Sequence, residues 1–438
     1  MKLPFYLCFT GFALAGMNLS AQKIEFQEYD LKNGLHVILH EDHTTPIVTV
    51  SVLYHVGSKN EDPKRTGFAH FFEHLMFEGS ANIGRGEYGK IIEQNGGVLN
   101  ANTSFDRTYY YEILPSNQLE LGLWMEAERM FQLKVDSIGV ETQRGVVKEE
   151  LNLRVLNQPY GSILQETFSH AFKVHPYRWT PIGDAQYINA ATYEEFMEFY
   201  KTFYVPNNAT ISIAGDINID QTKKWIEKYF GSIPKGTKAI PRPKETEPKQ
   251  TAEIRDTVYD NIQLPAVVMG YHIPGQGTAD YYAVNMLAQL LSQGESSRMM
   301  KNVVDKQQKA IFAGAFPLPS EDPGLTLMFG VCNMGIQPDD LEKSMDAEVE
   351  KVQKELISDE EFQKLKNQVE ADFVSGNSSM AGIAESLANY EVYYGDANLI
   401  NTEIDRYMKV TKEDIQRVAK EYFKKENRVV LYYLPKQK

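Results

Sequence analysis

Cysteine is almost absent from this chain, with two in 438 residues, Cys8 and Cys332. Cys8 falls in an apolar run from Leu3 to Leu19 that follows Lys2 and precedes the small pair Ser20-Ala21. That pattern predicts a secretory signal over residues 1–21, cleaved before about Gln22, and hence an exported protein, periplasmic or secreted. A chain matured there keeps one cysteine, so no internal disulfide holds its fold, and Cys332 reads as a buried structural thiol. Long apolar runs are missing after the signal, and no membrane span is expected in the mature chain. Basic charge is short too: 45 Lys and Arg stand against 59 Asp and Glu, a net −14 that becomes −15 once Lys2 is removed. Such a surface disfavours nucleic acid and anionic membranes as partners. What remains, 42% apolar and 24% charged residues, is globular composition in a chain long enough for two domains.

Histidine is also scarce, with nine in the chain, yet two stand four apart in the stretch from Gly67 to Gly79. The spacing predicts a helix that Thr66 caps and Gly79 ends. Phe68, Phe71, Phe72, Leu75 and Met76 form its core stripe, while His70, Glu73, His74 and Phe77 share the neighbouring face. Two imidazoles one turn apart can hold one cation, and a carboxylate beside the second can take a proton from a water next to it. His-x-x-Glu-His in this order is a metallopeptidase pattern. A catalytic zinc needs a third protein ligand and an open position, and Glu73 cannot serve as both base and ligand. In the helix predicted over 136–156, Glu150 lies between Val146, Val147 and Leu153, where a carboxylate needs a cation to offset its desolvation. On the residues alone, Glu126, Glu128 and Glu149 remain open as alternatives.

Around the motif, the order of elements is strands first. Asn33-Gly34 turns strand Ile24 to Leu31 into Leu35 to Leu39, and a Val-rich strand follows from Ile47 to His55. A short helix over 86–95, strands Val98 to Thr103 and Thr108 to Ile113, and a helix over 117–133 complete the approach to Glu150.

These residues resemble the pitrilysin or insulinase type of zinc metallopeptidases, especially its shorter two-domain bacterial branch, which is similar to mitochondrial processing peptidase subunits. In that family a ligand Glu follows the motif on a later helix, and Gln143 through Glu150 matches that helix, with Glu150 76 positions after His74. The resemblance implies one Zn2+ per chain held by His70, His74 and Glu150, with Glu73 as the base in peptide hydrolysis. Many members carry a Glu at the place of Gln143, which leaves Gln143 a supporting role by hydrogen bonding. Gly97 through Tyr109 looks like the family's substrate-binding edge strand, Gly-Gly-x-x-Asn-Ala-x-Thr, with Asn100 and Ala101 as peptide contacts. Phe77 resembles the residue that shapes the apolar pocket just past the scissile bond.

The chain also repeats itself. Residues 192–215 lie without a gap on 411–434, pairing Tyr204 with Phe423 and Asn208 with Asn427, and 50–57 parallels 266–273. Asn285, Ala288 and Gln289 then occupy the places of His70, Glu73 and His74, so the second copy has no metal site. Pro234, Pro241, Pro243 and Pro248 mark an interdomain connection. The expected organisation is a catalytic domain over 22–235, a linker over 236–250 and a metal-free copy of the fold over 251–438. Its class is α/β (α+β), with each half a mixed sheet covered by helices on one side. The resemblance implies a peptidase half-clam that closes on peptide or unfolded protein with a second chain, as a homodimer or with a related chain lacking the motif. The competing reading is a noncatalytic peptide-binding or assembly subunit. His40 and His43, flanking Glu41 and Asp42, read as a solvated loop.

Overall fold

The computed structural model describes residues 23–436; the expected signal segment and Cys8 lie outside them. Two mixed sheets organise the chain. The first contains β1 (Gln27–Asp30), β2 (His36–Glu41), β3 (Ile47–Tyr54), β4 (Val98–Thr103), β5 (Thr108–Pro115) and β6 (Ala209–Gly215) in the order β1-β2-β6-β3-β5-β4. The second contains β7 (Ile254–Asp260), β8 (Ala266–Ile273), β9 (Ala310–Pro317), β10 (Gly324–Cys332) and β11 (Arg428–Pro435) in the order β7-β11-β8-β10-β9. One pair in each sheet is parallel, β2 with β6 and β11 with β7, and the other pairs are antiparallel. Central β3 and β6 are apolar and almost wholly buried, as strands covered on both faces must be. No helix among the described residues is long and apolar enough to cross a membrane.

The duplication extends to side-chain hydrogen bonds. Helices Tyr193–Phe203 and Lys412–Tyr422 each open on a capping box, Thr192 with Glu195 and Thr411 with Asp414. Asn208 Nδ2 donates to the carbonyls of Phe203 and His55, and Asn427 Nδ2 to those of Tyr422 and His272. This corrects the pairing of 50–57 with 266–273 by one residue. Tyr54 lies opposite Ala209 and Tyr271 opposite Arg428, so His55 corresponds to His272. A slip of one would put every side chain on the wrong face, but two strands apolar at consecutive positions do not show the slip in sequence.

Each half lends a helix to the other. The expected helices cover one face of each sheet; on the opposite face of the first sheet lies Met380–Tyr394, whose Ile383, Ala384 and Leu387 pack with Ile38 and Ala214. In return, Phe168, Ala171 and Phe172, from and just after helix Ile163–Ala171, pack on Val268, Leu325 and Leu431 of the second sheet. Residues between Phe230 and Ile254 form no helix or strand and run across this junction. Arg242 there donates to Asn208 Oδ1 at 2.6 Å, and Glu247 accepts the backbone N–H groups of Lys173, Val174 and His175 at 2.8–2.9 Å.

A buried ion cluster locks the halves together. Lys59, 4% exposed, contacts Asp106 at 2.9 Å, Glu321 at 2.6 Å and Asp322 at 3.1 Å. Burial alone would raise the Glu321 carboxyl, but the His55 hydrogen bond and the Lys59 charge bring it down to about 2. His175 and Lys59 bring Asp322 down to about 2 as well. Because folding holds both carboxyls below their unfolded values, their contribution is complete above about pH 4.5 and is lost as the pH falls towards 2. Acid titration is therefore expected to loosen the junction in that window. Lys59→Met strands the buried Asp106 carboxylate, and denaturant unfolding at neutral pH should show a loss of about 3 kcal/mol.

Candidate active site

The motif helix spans Phe68–Leu75 and is fixed at its N-terminal end. Thr66 does not cap it, contrary to the sequence expectation. Gly67 takes the cap position at φ 93°, and the buried Glu61 carboxylate accepts the N–H groups of Gly67 at 2.9 Å and Ala69 at 2.8 Å. Thr66 Oγ1 instead accepts from the Asp184 N–H. Burial pushes the Glu61 carboxyl up to about 8, and its oxygens satisfy free N–H groups at the helix start, which a side chain six residues upstream of Gly67 does as well as a local cap. Phe71 and Phe72 are completely buried, stacked on Phe196 and Phe199, so the opposite face carrying His70, Glu73 and His74 points one way.

That face meets helix Ser137–Leu151, which is capped by Asp136. His70 Nε2 and His74 Nε2 are 3.3 Å apart, and Glu150 Oε2 is 3.4 Å from the first and 3.1 Å from the second. Hydrogen bonds from His70 and then His74 hold the Glu150 carboxyl well below the usual range. Donors of a tetrahedral ion at ~2.0–2.1 Å stand about 3.3 Å apart, which is the spacing found. One proton can bridge only one pair of these atoms, whereas one metal ion satisfies all three. The donor set of two imidazoles and a carboxylate therefore fits zinc.

The alternative carboxylates are committed elsewhere. Glu128 accepts from Ser80 Oγ at 2.6 Å and Asn82 Nδ2 at 2.9 Å. Glu126 is fully buried against Arg129, and Glu149 points into solvent. The apolar helix face that the sequence suggests around Glu150 is not formed. Val146 and Leu153 are 43% and 60% exposed, while Val147 alone is buried. What holds Glu150 at the site is the neighbouring motif helix. The helix expected to continue to residue 156 changes to a π-helical turn at Asn152–Leu156, which places Arg154 Nη1 3.0 Å from the second oxygen of Glu150. Gln143 touches none of the three donors; its Nε2 donates to Glu78 Oε1 at 2.5 Å, and Arg85 holds the other Glu78 oxygen at 2.8 Å.

Glu73 points along the same cleft, and Thr103 Oγ1 donates to its Oε2 at 2.6 Å. Thr103 ends β4, the sheet's edge strand, paired only with β5 among the described residues. The strand's alternation puts Leu99, Ala101 and Thr103 on the inner side and leaves Asn100 exposed, its Oδ1 accepting the Ala101 N–H at 2.9 Å. Phe77, in the turn just beyond the helix, lines the cleft beside Ala101, and the cavity measures about 570 Å3. Thr103 lay inside the edge-strand pattern but had no sequence signal tying it to Glu73.

Comparisons with known proteins bear on the family and the fold. Residues 36–178 match the family described as Insulinase (Peptidase family M16), and residues 190–369 match the Peptidase M16 inactive domain. The chain is 33% identical to the zinc protease PqqE of Helicobacter pylori over 424 residues, 96% of this chain and 95% of that one. It superposes on the crystal structure of a protease from Helicobacter pylori with a TM-score of 0.91 at 33% identity, covering 94% of this chain and all of that one. The periplasmic protease PqqL of Escherichia coli shares the fold at 18% identity and a TM-score of 0.76, with 93% of this chain covering 47% of PqqL. Both domain descriptions fall in order along one chain that aligns nearly end to end with a named zinc protease, and the chain belongs to the insulinase family of peptidases, M16.

Proposed function

We propose that this chain is an exported zinc-dependent endopeptidase that cuts peptides or unfolded segments, with His70, His74 and Glu150 as metal ligands and Glu73 as the catalytic base. The observation that carries this reading is the convergence of three donor atoms at 3.1–3.4 Å beside a carboxylate that is not one of them. A structural zinc would need a fourth protein ligand and no base, and His70, His74 and Glu150 are the whole donor group found there among the described residues. Zinc bound by these three would polarise the scissile carbonyl and acidify a neighbouring water.

The chain's own residues supply the rest. Glu73 takes a proton from the attacking water and returns it to the leaving amine. Thr103 keeps the Glu73 carboxylate turned towards the cleft. The free edge of β4 pairs with an extended peptide through its backbone, Asn100 and Ala101 lie along it, and Phe77 walls an apolar subsite. Residues 22–235 act as the catalytic half, 236–250 connect, and 251–438 form the metal-free half. A second chain, identical or related, closes the chamber. Support for export comes from the signal pattern over 1–21 and from the PqqL protein being described as periplasmic.

Purified mature protein incubated with a mixed library of unstructured peptides tests the reading. Cleavage with internal cut sites is expected; zinc-loaded protein that binds peptides and cuts none would favour the noncatalytic subunit instead. Thr103→Val leaves zinc binding intact and is expected to lower kcat about tenfold, since a hydrogen bond to a charged group contributes roughly 1.5 kcal/mol or more. Steady-state kinetics with metal analysis read both.

A further inference from the structure

Directly beneath Phe77 lies an unusual core. Arg129, from helix Leu119–Phe131, is 1% exposed, and its guanidinium carbon sits 4.7 Å from the ring centre of Phe77, 4.4 Å from Tyr88 and 4.3 Å from Tyr110. Glu112 of β5 and Glu126 of the same helix, both fully buried, lie 3.4 Å and 3.3 Å from it. Burial and the neighbouring Glu126 push the Glu112 carboxyl well above the carboxylate range. Hydrogen bonding within the group is incomplete: Arg129 Nε, Glu112 Oε2 and Glu126 Oε2 are buried without partners.

A buried ion cluster is weak evidence for a stabilising role, because apolar side chains of similar volume can often replace one at little or no cost, and the position of this one directs attention to another role. Phe77 supplies one. It lies two residues past the motif helix, in a turn whose backbone is held by the N–H groups of Met76, Phe77 and Glu78 donating to the carbonyls of Phe72 at 3.0 Å, His74 at 3.1 Å and Leu75 at 3.0 Å, none of which fixes the ring. Its ring orientation is set from below instead. Arg129, a T-shaped contact with Tyr88 at 5.8 Å and a tilted one with Tyr110 at 5.9 Å clamp it from three separate elements. A guanidinium against an aromatic face is attractive and directional, more so out of water.

Resting on the peptidase reading above, we propose that Arg129 is a positioning residue that holds the Phe77 ring and thereby sets which side chain the cleft accepts just past the scissile bond. With the ring held, the subsite is a rigid apolar wall that selects large apolar or aromatic side chains. With Arg129 replaced by a flexible apolar chain, the ring relaxes and the selection fades at that subsite alone.

The test uses the full mature chain carrying Glu73→Gln, so that binding is read without cleavage. Affinities for a positional peptide library are measured with and without Arg129→Met, alongside zinc content and circular dichroism. The expected result is a preference for large apolar residues over Ala at one position, reduced about tenfold by Arg129→Met, with the other positions and zinc content unchanged. An unchanged preference, or a loss spread evenly over all positions, overturns the proposal. If Arg129→Met does not fold, Tyr88→Leu removes one wall of the clamp without stranding a charge, and the same two outcomes apply. Cleavage by the chain with Glu73 intact, in the presence of its partner chain, is scored separately: its absence, together with position-selective binding, would overturn the peptidase reading and leave the positioning role standing.

Discussion

Glu73→Gln is expected to retain zinc at the level of the unaltered protein while kcat for peptide cleavage falls about a thousandfold, within the range that positioned acid–base groups contribute. Glutamine has nearly the same shape and keeps an oxygen to accept the Thr103 hydroxyl, so the cleft and the three donor atoms stay in place. What it lacks is the capacity to accept the proton of the attacking water and pass it to the amine. The loss therefore belongs in kcat, with KM little changed, because Glu73 contributes to the reacting state more than to peptide binding. Metal analysis and steady-state kinetics on one preparation separate this from ligand loss. A variant that lost zinc along with activity would make Glu73 a ligand.

Removing a ligand gives the opposite signature. Glu150→Ala is expected to abolish cleavage together with zinc binding, leaving two imidazole nitrogens 3.3 Å apart without the anionic donor that neutralises the ion. The loss is visible without any substrate. Zinc binds the folded chain and not the unfolded one, so at a free concentration a thousandfold above Kd it adds about 4 kcal/mol of stability. Thermal unfolding of the unaltered protein should shift upward with added zinc and fall back with a chelator. Glu150→Ala should show neither change, and the variant and the chelated protein should unfold alike. A variant that still responds to zinc as the unaltered chain does would move the third ligand elsewhere. Arg154, the other partner of Glu150, is mostly exposed, and its loss of a contact is worth little.

Residues that share one helix turn were legible in the sequence. His70, Glu73 and His74 had to face one way because Phe68, Phe71 and Phe72 claim the other, and the structure buries all three phenylalanines. Contacts between distant elements were not legible in the same way. Glu150 could be ranked but not chosen from its own helix, since its apolar neighbours Val146 and Leu153 face solvent and the partner helix does the choosing. Glu61 caps the motif helix from six residues upstream, a distance at which no local cap pattern operates. Glu112 alternates with Tyr111 along β5 and would be read as a solvated position, whereas it lies in the core against Arg129. The exchange of Met380–Tyr394 onto the first sheet leaves no trace in that helix's own pattern, because an apolar face does not specify which sheet it will meet. The repeat was visible where gapless identity fixed it, at Asn208 and Asn427, and slipped by one where only apolar character did, at β3 and β8.

The most direct measurement is to titrate the metal-free mature protein with Zn2+ while following cleavage of unstructured peptides. No cleavage is expected at the start, then a rise in proportion to added zinc and a plateau at one ion per chain. Full cleavage by the metal-free protein, or saturation with zinc without cleavage in the presence of its partner chain, would contradict the zinc-dependent mechanism.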